Sequence, residues 1–220
     1  MKKFLLAIFL LLAVVGVAQA QDNDDNQFWP DLTVSFKLKP AVTLNLFGTA
    51  RLGRDGQAFV TEQLGATVNF RLSKNFSVTP SYRHLWSQPT ATKRSQEDRY
   101  FLDFNSRLPL PKGFAITDRN RGEIREIDNN VTRQRSWRYR NRLQVERPVG
   151  WHELKLVPYI SGEMHYDSRY HVWSRQQFWA GSRVPVTKHW SLDVHYSRNI
   201  DERSVPGHWH VLGVLSRLEF

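Results

Sequence analysis

From residue 32 onward, apolar side chains recur at every second position. Leu64, Ala66, Val68, Phe70 and Leu72 interleave with Gln63, Gly65, Thr67, Asn69 and Arg71. Period two places one set on each face of a β-strand. The run is as long as a tilted membrane-crossing strand needs to be. The signature repeats. Leu32, Val34, Phe36 and Leu38 share a face, as do Val42, Leu44 and Leu46. Phe76, Val78, Pro80, Tyr82 and Trp86 form another set, and Tyr100, Leu102, Phe104 and Leu108 the next. Further runs contain Trp137, Tyr139, Leu143 and Val145, then Leu154, Leu156, Pro158, Ile160 and Met164. A weaker run holds Ala180, Val184 and Val186, followed by Trp190, Leu192, Val194 and Tyr196. The last carries Leu212, Val214, Leu218 and Phe220.

Connections between the runs alternate. Ser73-Lys74-Asn75, Pro111-Lys112-Gly113, Val149-Gly150 and Thr187-Lys188-His189 read as tight turns. Longer polar loops are expected over 87–98, 126–136, 167–174 and 200–206. Tight turns at one end and longer loops at the other describe an all-β, antiparallel up-and-down transmembrane barrel of about 10–12 strands. Phe76, Trp86, Phe114, Trp137, Trp151 and Trp190 near strand ends suit its interfacial girdles. A terminal aromatic, Phe220, suits the signal read by the barrel assembly machinery. With the strand that carries Arg119 to Arg125 the runs number eleven, whereas bacterial single-chain barrels have even counts. The expectation is therefore that 28–38 does not span, giving ten, or that a strand is hidden near 169–186, giving twelve.

The first twenty residues differ from the rest. Lys2 and Lys3 precede an apolar run from Phe4 to Val17, and Ala18-Gln19-Ala20 follows. That run is too short to span a bilayer, and the pattern is that of a secretory signal cleaved after Ala20. The remaining stretch, 21–220, suits one domain. Cysteine is absent, so neither a disulfide framework nor a thiolate metal site is available. The mean hydropathy of −0.52 is compatible with a membrane barrel, which shows lipid only every second residue. The net charge is +10. Export argues against nucleic acid as the anionic partner and favours outer-membrane lipids and lipopolysaccharide. Oligomeric state is not encoded in any pattern here.

The register sends most of the basic charge inward. Arg119, Arg121 and Arg125 share a face with Glu123, and Arg138, Arg140 and Arg142 share one with Glu146. Glu163 and Arg183 follow on later runs. Two readings stand together. Arginine forks can pair with these carboxylates and fill the lumen with salt bridges. Alternatively, the excess of arginine draws anions toward the interior. Arg94, Arg133, Arg135 and Arg169 in the loops are suited to lipopolysaccharide phosphates.

Candidate chemistry is sparse. Asp193, His195 and Ser197 lie on one strand face, where a carboxylate can orient an imidazole and an imidazole can activate a hydroxyl. His195-Tyr196-Ser197 resembles the His-x-Ser motif of the outer-membrane lipid A deacylase family. That resemblance implies Ser197 as nucleophile and His195 as base. The family also uses a glutamate beyond the serine, where this chain has Trp209, His210 and Val211. His208 with His210, and His165 with His171, are pairs without an evident third metal ligand. No metal or cofactor is expected.

One resemblance covers most of the chain. Phe28-Trp29, Trp137-Arg138-Tyr139-Arg140-Asn141-Arg142-Leu143 and Pro158-Tyr159-Ile160-Ser161-Gly162-Glu163 occur in order. Tyr166-Asp167, Gly181, Trp190, Tyr196-Ser197-Arg198 and Val211-Leu212-Gly213 follow. In this the chain resembles the bacterial outer-membrane family called domain of unknown function 2490. The resemblance implies a barrel behind a signal peptide and implies no activity.

Overall fold

The computed structural model describes residues 24–220 apart from 89, 91, 130 and 152–153. The leader with its cleavage point after Ala20, and the side chain of Trp151, lie outside the described residues. The strands are β1 (Asp24–Lys39), β2 (Val42–Gly53), β3 (Ala58–Arg71), β4 (Phe76–Ser87), β5 (Ser95–Pro109) and β6 (Ala115–Asp128). They continue as β7 (Arg133–Glu146), β8 (Val149–Trp151), β9 (Leu154–Asp167), β10 (Val172–Pro185), β11 (Trp190–Asp201) and β12 (His208–Glu219). The short β8 pairs only with the start of β9. The other eleven close into a barrel, each antiparallel to its chain neighbour.

The even-number expectation fails, and both repairs offered for it fail too. β1 spans, and β10 runs through 172–185 with one register shift instead of a break. An odd count makes the first and last strands point the same way. β1 therefore joins β12 in parallel, from Asp24 opposite His208 to Ser35 opposite Glu219. A parallel ladder satisfies the edge N–H and C=O groups as an antiparallel one does, so lipid meets no open edge.

Alternation is regular around the wall. Leu64, Phe104, Ile160 and Phe178 are exposed on the outside, while Glu123, Glu163, Asp167 and Ser197 are buried inside. This inverts a soluble protein, because the outer face is solvated by lipid.

Four loops are shorter than expected. The strands before them end at Ser87, Asp128, Asp167 and Asp201 and the next begin at Ser95, Arg133, Val172 and His208. The β5–β6 ladder continues four residue pairs past its last outward apolar pair, Tyr100 with Ile124. At ~3.3 Å per residue its two strands rise roughly 13 Å further. Their outward residues, such as Asp98 and Glu126, are polar as well, so the period-two signal ends where the lipid ends although the backbone pairing continues. At the other end the apolar pair Leu108–Ile116 lies one pair from the turn. The barrel is thus flush with its apolar belt at the turn end and protrudes at the loop end.

Candidate functional site

The lumen has two unlike halves. Toward the loop end it is filled. Asp167, with no exposed surface, accepts Arg125 Nη1 at 2.9 Å, Arg138 Nη2 at 2.8 Å and Arg169 Nη2 at 2.8 Å. Glu97 accepts Arg99 Nε at 2.7 Å and also binds Arg125. Glu123 lies 3.1 Å from Arg140 and 3.5 Å from Arg121. Glu163 accepts Arg119 at 2.8 Å and Arg140 at 2.5 Å. Arg121 holds Asp103 through two bonds of 2.5 and 2.8 Å, and Arg175 holds Asp201 at 2.5 Å. On the opposite wall Trp29, Trp209 and Val211 form an apolar cluster. Guanidinium forks matched this closely to carboxylates leave the centre of the barrel shut.

Toward the turn end the lumen opens into a cavity of about 950 Å³. Its walls divide by strand. β1 to β4 contribute hydroxyls and amides, among them Ser35, Thr43, Asn45, Thr67, Asn69 and Thr79. Several are linked: Ser35 Oγ donates to Asn45 Oδ1 at 2.7 Å, Asn45 Nδ2 to Thr67 Oγ1 at 2.9 Å, and Asn69 Nδ2 to Thr79 Oγ1 at 2.8 Å. The facing wall, from β6 round to β12, carries Arg119, Arg121, Arg142, Arg183 and Arg217, with Lys188 at the rim. Arg51 and Arg83 stand at the inner end, above Trp29 at 4.1 Å and Phe101 at 4.6 Å. Arg142 lies over Trp179 at 4.7 Å. A guanidinium flat on a ring keeps its N–H edge free to donate. Among the described residues, Asp31, Asp193 and Glu219 are the acids that line the cavity.

The expected basic residues are thereby sorted. Arg125, Arg138 and Arg140 belong to the filled half. Arg142 and Arg183 face the cavity, and Arg119 and Arg121 bridge the two. Glu146 lies near the turn end, 2.6 Å from Arg107 and 3.9 Å from Arg183. Arg51, Arg83, Arg217, Glu97, Asp167 and Asp201 were not among the candidates read from sequence. The alternation around Thr49 and Thr79 points Arg51 and Arg83 inward and was sufficient to find them. Asp167 and Asp201 were placed in loops because each is the last residue of its strand, where the pattern marks no sharp boundary. Arg169, expected to meet external phosphates, is instead bound to Asp167, while Arg133 and Arg135 remain exposed beside Glu126.

The candidate triad separates. His195 lines the cavity, with Nδ1 at 3.6 Å from Asp193, and Tyr159 donates to Asp193 at 2.7 Å. The imidazole occupies the space that Gly213 leaves open on β12, where a Cβ would overlap the ring. Ser197 has no exposed surface and accepts from Asn199 at 3.1 Å. Two residues along a strand are about 6.6 Å apart, and among the described residues no hydrogen bond joins His195 to Ser197. A carboxylate thus stands near the histidine, and the serine stands apart from both. His210 is engaged by Tyr196 and by Asp24 at 3.1 Å. No group of three or more metal-ligating side chains occurs among the described residues.

Comparisons with known proteins agree with this architecture. The family model described as "Protein of unknown function (DUF2490)" matches residues 26–209. The chain is an outer-membrane-type β-barrel. It belongs to the DUF2490 family. Among solved structures, LpxR from Salmonella typhimurium is similar at a TM-score of 0.50 and 7% identity, over 81% of this chain and 83% of that one. The β domain of the Bordetella autotransporter BrkA matches at a TM-score of 0.47 and 13% identity, over 78% and 82% of the two chains. These likenesses concern the fold alone. No curated protein matches.

Proposed function

We propose that this protein is a non-enzymatic bacterial outer-membrane barrel that takes an anionic solute into its lumen from the periplasmic side. One observation carries the reading: cavity cations outnumber the acids available to neutralise them. Lys37, Arg51, Arg83, Arg142, Lys188 and Arg217 line the cavity with no carboxylate in ion-pair range among the described residues. Low-dielectric walls lined with one sign of charge focus the field and concentrate counter-ions. The protruding hairpins support an outward-facing loop end, which turns the cavity mouth to the periplasm. Arg133 and Arg135 at the hairpin tips suit lipopolysaccharide phosphates.

The filled half favours a receptor over a conduit. The test is titration of the refolded mature barrel with inorganic pyrophosphate, read by tryptophan fluorescence, since Trp29 and Trp179 line the cavity. Saturable, salt-sensitive quenching that weakens in Arg83→Gln is expected. A flat titration removes the reading. Planar-bilayer recordings are expected to be silent, and steady anion conductance would mean that the filled half opens.

The alternative is a lipid A hydrolase using Ser197 and His195. What favours it is the Asp193–His195 approach at 3.6 Å. Lipid A mass spectrometry from cells expressing the protein or Ser197→Ala decides it; an acyl chain lost only with the intact serine would establish the enzyme.

A further inference from the structure

Cations stand around the cavity, and β2 to β4 add a neutral wall segment of hydroxyls and amides; a simple anion would use only the cations. We infer that the ligand is a soluble acidic sugar, a hydroxyl-rich ring system bearing carboxylate or phosphate groups. This rests on the anion-binding reading above and specifies its ligand class.

The neutral wall carries the first part of the argument. Thr43, Asn45, Thr67, Asn69 and Thr79 come from three consecutive strands and all line the cavity. Their hydrogen bonds to one another use some capacity and leave more. Asn45 Oδ1 accepts from Ser35 and Asn45 Nδ2 donates to Thr67, yet an amide nitrogen has two hydrogens and an amide oxygen two lone pairs. Thr67 and Thr79 each accept from an asparagine and keep an O–H to donate. Such a surface offers donors and acceptors interspersed without charge. Sugar hydroxyls, each both donor and acceptor, match that pattern. Inorganic phosphate, chiefly an acceptor with one or two O–H groups at neutral pH, uses less of it.

Arginines on both sides of the cavity supply the anion contacts. Arg142 is fixed by bonds to Ser161 at 2.8 Å and Gln144 at 2.8 Å and by its stacking on Trp179. Arg83 donates to Gln63 at 3.0 Å while its Nε remains buried without a partner. Arg51 Nε is likewise buried and unpartnered. Both Nε–H groups are donors that a ligand oxygen entering the cavity could satisfy. Guanidinium forks held in place recognise carboxylate or phosphate in pairs.

Size and access restrict the ligand further. About 950 Å³ lies at the upper end of the ~300–1,000 Å³ range of small-molecule sites, which suits a short oligosaccharide. The ladder is closed around the wall, including the β1–β12 seam. A headgroup on acyl tails therefore has no lateral entry, and the ligand arrives as a free solute along the barrel axis.

The experiment titrates the refolded barrel with trigalacturonate, inorganic phosphate and maltotriose. The same titrations are run on Arg142→Gln and on the Asn45→Leu/Thr67→Val double variant, with folding of each checked by heat-modifiable gel mobility. Trigalacturonate is expected to bind at least about tenfold more tightly than either comparison ligand, as loss of one charge-assisted pair or one set of hydroxyl contacts implies. Arg142→Gln should weaken trigalacturonate about tenfold. The double variant should weaken trigalacturonate several-fold and leave phosphate unchanged. Equal affinity for phosphate and trigalacturonate, both indifferent to the double variant, overturns the sugar inference and leaves anion binding standing. Failure of every anion to bind overturns both. Binding of maltotriose as tight as trigalacturonate overturns the role given to the arginines.

Discussion

The two halves of the lumen contain the same cation in two electrostatic settings. In the loop half, Asp167, Glu97, Glu123, Glu163 and Asp201 are each in reach of one or more guanidinium groups. In the turn half, Arg51, Arg83, Arg142 and Arg217 face open volume. An arginine is structural where carboxylates share its layer and is available to a ligand where they do not. The chemistry of the residue is constant and the company differs. Buried ion pairs contribute little net stability relative to apolar packing, but removing one partner strands the other. The two halves should therefore respond oppositely to loss of a charge.

The largest effect is expected from Asp167→Ala. It leaves Arg125, Arg138 and Arg169 around an empty position, and removal of one partner from a buried pair costs about 3–5 kcal/mol. Urea titration of the refolded barrel should show that loss; a change within experimental scatter would mean that water already penetrates the filled half. Next is Gly65→Ala. A Cβ there would meet Phe47, and the Tyr82 carbonyl at 2.5 Å. Overpacking of this kind costs about 1–3 kcal/mol, and because Phe47 lines the cavity the variant should also perturb ligand binding.

Arg83→Gln sharpens the comparison most directly. Among the described residues Arg83 has no carboxylate within ion-pair distance, so the midpoint of urea unfolding should stay within about 1 kcal/mol of the wild type, in contrast to the strongly destabilising loss of a paired charge. Pyrophosphate affinity should fall in the same variant. Stability lost to the extent seen in Asp167→Ala would show that Arg83 belongs to the filled half. The smallest effect is expected from Ser197→Ala, which removes a buried hydroxyl bonded to Asn199. Lipid A composition should not change, and the stability cost should stay near the roughly 1 kcal/mol of one hydrogen bond.

Much of the barrel was legible before any coordinates. Leu64 to Leu72 and Trp190 to Tyr196 declare their faces because lipid outside and polar side chains inside force strict alternation. The same alternation sent Arg119 to Arg125 and Arg138 to Arg142 into the lumen. It failed at Glu97, where the β5–β6 hairpin outruns its outward apolar residues, and at Asp167 and Asp201, which are the last residues of their strands. The odd strand count was also visible, and a general preference for even numbers argued it away.

What the sequence by itself determined is the class of fold, the direction of side chains within the apolar belt and the inward excess of arginine, since these follow from period two and from the solvent on each side of a single strand. Tertiary structure alone decided the parallel β1–β12 closure, the division of the lumen into filled and open halves, and the separation of Ser197 from His195. Those outcomes depend on which strands become neighbours and at what register. Asp167 meets Arg125 across intervening β7, and a charge acquires its role from partners that lie far away along the chain.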